Sequence, residues 1–263
     1  MSSILILRQA MWSSWVDMKM VYTPATWAGG WMVRVVCQVV FYTMLGTLLG
    51  DPERTEYLLV GAAVFIAVTE TMMTSASTTW ERMSGTMSLL AAAPGSMALV
   101  LIGRSWTWIA SGTVSASIAL LVLAPLFDVH ISPDRAALTV ALIFATALTV
   151  YPLGLCCGSL ALRFHGLRNV FSNITTLFMT AFCGAMVPTS YWPEPLQLIA
   201  AAFPPEHTLT AIRLTLDNAP PTQILPNLAW AAATAAAWLI PAILSLHWFE
   251  SNARKRGTID FGD

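Results

Sequence analysis

The sequence predicts an all-α membrane protein with six transmembrane helices. An interfacial amphipathic helix precedes them, a short cytoplasmic helix follows the second, and short extracellular re-entrant helices precede the last. Three observations carry that reading. Hydrophobic residues make up 56% of the 263 residues and charged residues only 10%, against roughly 25% charged in a soluble domain. Mean hydropathy is +0.66. The apolar residues gather into runs of about 20, the length that crosses a hydrocarbon core as a helix, and basic residues favour alternate loops. The chain reads as one domain, 1–263.

Residues 1–23 come first. Ile4, Leu7, Met11, Trp15, Met18 and Tyr22 recur at steps of three and four and share a helical face. Arg8, Gln9, Ser13, Ser14 and Asp17 fall mostly elsewhere, and Trp12 and Trp15 suit the headgroup layer. This is the pattern of a helix lying in the membrane interface, or of one packed on a soluble partner. Pro24 ends it. No cleavable signal peptide is expected, because the first apolar run is short and interrupted and no small-residue cleavage pattern follows.

Residues 27–49 form the first span, with Arg34 and Gln38 one turn apart inside it. A charge there faces protein or water, or snorkels to the nearer interface. Gly46 and Gly50 admit close approach by another helix. An acidic loop, 51–56, leads to the second span, 57–79. Glu70, Thr74, Ser77 and Glu81 fall at helical spacing there, so one stripe of this helix is polar. An intramembrane carboxylate marks a functional site by default. The plainer alternative is a Glu70 that hydrogen-bonds nearby threonines and only fixes packing.

Residues 80–104 are polar where their surroundings are not. Glu81 and Arg82 open the segment, Gly85 and Thr86 follow, and a short apolar helix-like piece ends at Pro94-Gly95-Ser96. Such a segment is either an elbow that turns the chain or a surface that another protein pushes. The third span is 105–127, followed by a loop with His130 that reads as solvated. The fourth, 136–162, contains Pro152, a kink signal, and the pair Gly154 and Gly158. A basic loop, 163–168, precedes the fifth span, 169–187, which carries Asn173, Thr175 and Thr176. Residues 188–217 hold Pro188, Pro193, Pro195, Pro204 and Pro205, and no uninterrupted part is long enough to cross. Two short helices that enter the membrane and return fit that pattern. The sixth span, 225–249, ends at Arg254, Lys255 and Arg256.

Basic residues set the orientation. One side collects Arg8, Lys19, Arg82, Arg104, Arg163, Arg168 and the basic cluster after the last span; the other holds Arg54, Arg135 and Arg213 among many acids. The positive-inside rule places both termini and segments 80–104 and 163–168 in the cytoplasm, in a multi-pass cell-membrane protein. Cys37, Cys156, Cys157 and Cys183 all lie in apolar runs and read as packing residues, without disulfide or metal spacing. Only two lysines are present, Lys19 and Lys255, and neither belongs to a G-x-x-x-x-G-K-[ST] phosphate loop. H-E-x-x-H and G-x-S-x-G are also absent. No catalytic residue, metal site or nucleic-acid partner is expected.

Two motifs carry a family resemblance. ER-x-x-GT-x-x-LL-x-x-x-P, from Glu81 to Pro94, is similar to the first cytoplasmic loop of ABC-2 type transport permeases. GAMVPTSYWPEPLQLIAAAFPPEHTLTAIRLTL, residues 184–216, resembles that family's segment before the last span, although it reads Phe203-Pro204-Pro205-Glu206-His207 where many members have one proline. The resemblance implies a membrane-spanning permease subunit of an ATP-driven ABC exporter. Such a subunit is not itself an enzyme and holds no cofactor, since ATP and Mg would sit on a separate cytoplasmic ATPase. It implies a homodimer, or a pair of related permeases, in the bilayer. It also implies that 80–104 is the coupling segment, with Glu81, Arg82, Gly85, Thr86, Leu89, Leu90 and Pro94 as the ATPase-coupling residues. The candidate translocation path comprises Arg34, Glu70, Thr74, Ser77, Asn173 and Thr176. An amphiphile would enter it from the inner leaflet, whether a drug, a glycolipid or a polysaccharide precursor. Two other readings compete: a proton-coupled secondary transporter using Glu70, which would need no ATPase, and a non-transporting scaffold.

Overall fold

Each apolar run becomes a helix, and the residues around it decide where that helix starts and stops. The computed structural model describes residues 3–83, 85–93, 95–164 and 168–256; the side chains of residues 21, 82, 83, 88, 91, 92, 163, 168, 169 and 253–256 fall outside that description. Among the described residues the regular elements are helical. They are α1 (Ser3–Val21), α2 (Pro24–Thr26), α3 (Val33–Leu48), α4 (Pro52–Met72), α5 (Thr74–Met83), α6 (Met87–Ala92), α7 (Met97–Ser105), α8 (Thr107–Leu123), α9 (Pro133–Arg163), α10 (Arg168–Phe182), α11 (Glu194–Ala200), α12 (Pro204–Leu216) and α13 (Pro221–Arg256). A π-helical turn, Trp27–Met32, joins α2 to α3 around Gly29 and Gly30.

Five stretches are long and apolar enough to cross a membrane: Pro24–Leu48, Pro52–Glu81, Met97–Phe127, Pro133–Leu162 and Pro221–Asn252. The chain is therefore a multi-pass membrane protein. The expected span at 169–187 gives the 15-residue α10, about 22 Å long at 1.5 Å per residue and short of a ~30 Å core. It stops at Cys183, just before Gly184 turns the chain at φ +76°. Residues 188–217 then fold into a 3-10 turn and the short helices α11 and α12.

α4 is the central helix. Asp51 caps it by accepting from the amides of Glu53 and Arg54, with Pro52 in the first turn. Most of its apolar length is sealed inside the bundle, whereas only 11% of the window in α13 and 28% of that in Pro24–Leu48 is buried. α3, α8 and α9 surround α4. In lipid, helices associate by close packing rather than by a hydrophobic drive, so small residues decide the contacts. A Cβ on Gly61 would lie 1.8 Å from the Ala185 carbonyl oxygen, and one on Gly158 would lie 2.3 Å from Thr78 Oγ1. The pair Gly154 and Gly158 thus brings α9 onto α5, whereas only Gly46 of the earlier glycine pair is a close contact, against Thr55.

The second span bends between α4 and α5 at Met73. Its hydroxyls turn inward on their own backbone: Ser77, Thr78 and Thr79 each donate to the carbonyl three residues earlier, a habit that bends helices. The third span starts earlier than its apolar run. Ser96 caps α7, and Glu250 of α13 accepts from the Met97 amide at 3.3 Å, a carboxylate at the positive end of a helix. Residues 97–104 are therefore already helical and continuous with the span, which shortens the polar segment.

α1 packs on the bundle through small and polar residues and leaves much of its apolar surface outward. Ala10 and Ser14 are buried against α7 and α8, while Ile4, Leu5, Trp12, Trp15 and Met20 are exposed. The reason is polar: Ser14 donates to the Arg104 carbonyl and meets Thr107 Oγ1 at 2.9 Å, and Trp106 Nε1 donates to the Met11 carbonyl.

Candidate functional site

Two polar centres stand out in this apolar bundle. The first is Glu70, on α4, which is 1% exposed. Trp31 Nε1, brought in by the π-helical turn, donates to Oε1 at 2.7 Å, and Ser111 Oγ on α8 donates to Oε2 at 2.5 Å. Each carboxylate oxygen therefore has a donor from a different helix, and three segments meet at one side chain. Arg34 is exposed and lies over the Trp31 ring, 4.4 Å from its centroid. Tyr22 stands edge-on to the same ring; burial and the nearby Glu70 charge both raise its hydroxyl pKa above the ordinary tyrosine value.

The second centre lies at the end of the bundle that carries α6. Glu81, on α5, is buried and its Oε1 forms an ion pair with Arg104 Nε. Arg104 Nη2 pairs with Asp17 at 2.8 Å and Nη1 donates to Ser13 at 3.0 Å, both on α1. The other Glu81 oxygen accepts from Thr86 Oγ1 at 2.6 Å, and the Glu81 carbonyl accepts from the Thr86 amide. One guanidinium thus joins α1, α5 and α7, and Thr86 carries the connection to the start of α6. A small cavity of about 80 Å³ beside this network is also lined by Ser77, Trp80 and Trp108.

α6 is held from beneath by its own apolar side. Met87 is fully buried with Met97 and Leu101 of α7, Leu162 of α9 and Leu246 of α13, and Leu90 packs against this cluster. Leu89 points the other way and is 71% exposed. Between α5 and α6 the chain turns at Gly85, whose φ of +69° is a conformation that side chains resist.

The expected site residues divide accordingly. Glu81, Gly85, Thr86, Leu89 and Leu90 converge on the elbow, while the Arg82 side chain and Pro94 lie outside the described residues. The Glu81 carboxylate is committed within the chain, not presented to a partner. Of the path candidates, Arg34 and Asn173 are exposed, Ser77 and Thr176 are half-buried, and Glu70 and Thr74 are sealed from the surface. Thr74 Oγ1 has no hydrogen-bond partner among the described residues.

Sequence reasoning missed Arg104, Asp17 and Ser13, because nothing in the spacing announces a contact across some ninety positions of chain. It also missed Ser111, for which a signal exists: Thr107, Ser111 and Ser115 recur every fourth residue in an apolar run, the same stripe rule that singled out Glu70. Arg213 was read only as a loop charge. It lies on α12, with its guanidinium 3.5 Å from the Tyr57 ring centroid, donating to the carbonyls of Gly184 and Tyr57. It pins the turn after α10 to the start of α4. Among the described residues no cluster of three or more His, Cys, Asp or Glu side chains is placed to hold a metal ion.

Comparison with known proteins gives one match, to the ABC-2 type transporter family over residues 4–216. No curated protein and no solved structure matches the chain. Because the match takes in both polar centres and most of the 263 residues, the chain belongs to the ABC-2 type transporter family.

Proposed function

We propose that this chain is the membrane-spanning subunit of an ATP-driven exporter, working as a homodimer with a separate cytoplasmic ABC ATPase that binds ATP and Mg. The observation that carries the reading is the elbow at α6. Leu89 is offered outward on a short helix whose other side, Met87 and Leu90, is seated on α7, α9 and α13. A push on that helix moves the ends of three long helices. Through Thr86, Glu81 and Arg104 it also moves α5 and α1.

In this reading ATPase closure tilts α5 and the α4 helix above it. The path lies between protomers, along the first, second and fifth spans: α3, α4 with α5, and α10. Arg34, Asn173 and Thr176 line it from the start, and Glu70, Thr74 and Ser77 join it once the second span tilts. The substrate is an amphiphile moved outward from the cytoplasmic side: a drug, a glycolipid or a polysaccharide precursor. An amphiphile suits walls that set Arg34 and Asn173 beside exposed Val33, Ile174 and Leu177.

The test is to reconstitute the chain in lipid with its ATPase and to measure hydrolysis and transport together. Glu81→Ala, Arg82→Ala and Gly85→Val are expected to leave ATP hydrolysis running without matching export. Glu81→Ala leaves Arg104 with Asp17 and Ser13 but removes the side-chain link that carries the network from Arg104 to Thr86 and α6. Wild-type coupling in all three variants would reduce α6 to a turn and remove the proposal's support.

A further inference from the structure

The outward face of α1 carries a pattern that neither the bundle nor the elbow uses. Arg8, Trp12, Trp15 and Lys19 follow one another at steps of four, three and four, so they form one stripe along the helix, and all four are exposed. The two cations stand about 16 Å apart at 1.5 Å per residue. Neither forms an ion pair among the described residues, and Lys19 instead lies 5.3 Å from the centroid of the Trp15 ring.

Each cation stands at the edge of an apolar groove. Arg8 borders one of about 850 Å³ walled by Ile4, Leu7, Met11, Trp12 and Trp106. Lys19 borders another of about 630 Å³, walled by Met18, Tyr22, Pro24, Trp27 and Val114. Asp17, Ser13 and Ser14 are engaged by Arg104 and Thr107, with Asp17 left half-exposed. The outer face is thus positive and apolar together, with tryptophans at its centre.

We infer that this stripe is a docking surface for anionic phospholipids of the leaflet at the α6 end, with a lipid phosphate at each of Arg8 and Lys19 and its acyl chains in the adjoining groove. The charge argues for the headgroup and the apolar walls argue for the chains. A zwitterionic lipid would fill the grooves equally well, but its own headgroup cation offsets the attraction of its phosphate to two cations that form no ion pair among the described residues. A cation beside an anionic leaflet contributes about 1 kcal/mol, or roughly fivefold in affinity.

The experiment needs only the full chain and no ATPase, so its outcome is separate from that of the transport reading. The purified protein is reconstituted in mixed phosphatidylcholine and phosphatidylglycerol vesicles and re-extracted in mild detergent, and the retained lipids are counted by mass spectrometry. Wild type is expected to retain phosphatidylglycerol above the vesicle ratio. Arg8→Gln and Lys19→Gln each lower that preference roughly fivefold, the double variant brings it to the vesicle ratio, and Arg8→Lys with Lys19→Arg restores it. Arg54→Gln, which removes an exposed cation in the first turn of α4, leaves it unchanged. Retention at the vesicle ratio in wild type, undiminished preference in the double glutamine variant, or an equal loss in Arg54→Gln would each overturn the inference.

Discussion

Glu70 shows how one side chain can serve both packing and transport. Its two oxygens are held by Trp31 from the first span and Ser111 from the third, so replacing it with alanine takes the acceptor from two half-buried donors. Each such donor costs roughly 1–3 kcal/mol, and Glu70→Ala is expected to lower the yield of folded protein. Glu70→Gln keeps the shape and one acceptor oxygen. It should assemble normally yet transport less, because one donor then faces an amide N–H and the charge or proton site is gone. Thermal unfolding in detergent and transport in vesicles separate the two effects. Full transport by Glu70→Gln at normal expression would leave Glu70 with packing alone. The proton-coupled alternative gains no support here, since both oxygens are already engaged by donors from neighbouring helices.

At the scale of elements, the short helices depend on polar clips. The first turn of α12 is fastened by His207, whose Nε2 meets the Ala201 carbonyl at the end of α11 and whose Nδ1 meets Glu206, both at 2.8 Å. Burial pulls the His207 pKa down, but the Glu206 carboxylate and the Ala201 carbonyl outweigh it and hold the value above the ordinary 6.5. Two acceptors call for a doubly protonated ring. Because the folded value is raised, this clip contributes stability fully below about pH 6.5 and loses it as pH rises through the folded value. Melting temperature should therefore fall across that range by more in wild type than in His207→Gln; equal slopes would show that the ring does not matter to stability. The helices themselves were legible in the sequence, since apolar runs, prolines and the glycine pair at Gly154 and Gly158 act locally. Glu70, Gly85 and Leu89 were legible for the same reason, each being a local exception in an apolar or helical context. The α1 face was not. It is decided by Ser14 and Asp17, which find Thr107 and Arg104 far along the chain, and no local pattern encodes a distant partner. The length of α10 was missed because apolarity continues through Cys183 while the backbone turns at Gly184.

For the whole molecule, the decisive fact is that α1 and the last turns of α13 gather at one end of the bundle. α1 is bonded to Arg104 and Thr107, and α13 returns so that Glu250 meets Met97. The first turns of α4, α9 and α11, bearing Glu53, Asp134 and Glu194, belong to the opposite end, where Gly184 meets Tyr57 and Arg213. Charge is sorted in the same sense: Arg8, Lys19 and Arg104 lie at the α6 end, and most of the acids lie at the other. Basic loops stay in the cytoplasm because moving them across the bilayer is costly, so the α6 end is expected to face inward. Single cysteines test this directly in a Cys37→Ser background, since Cys37 is the exposed native thiol and Cys156, Cys157 and Cys183 are buried. Glu53→Cys, Asp134→Cys and Glu194→Cys occupy exposed positions and should react with an impermeant thiol reagent added to intact cells. Leu89→Cys, at the 71% exposed crest of α6, should react only after the membrane is opened. Labelling of Leu89→Cys from outside would invert the topology, and with it the side from which an ATPase can reach the elbow.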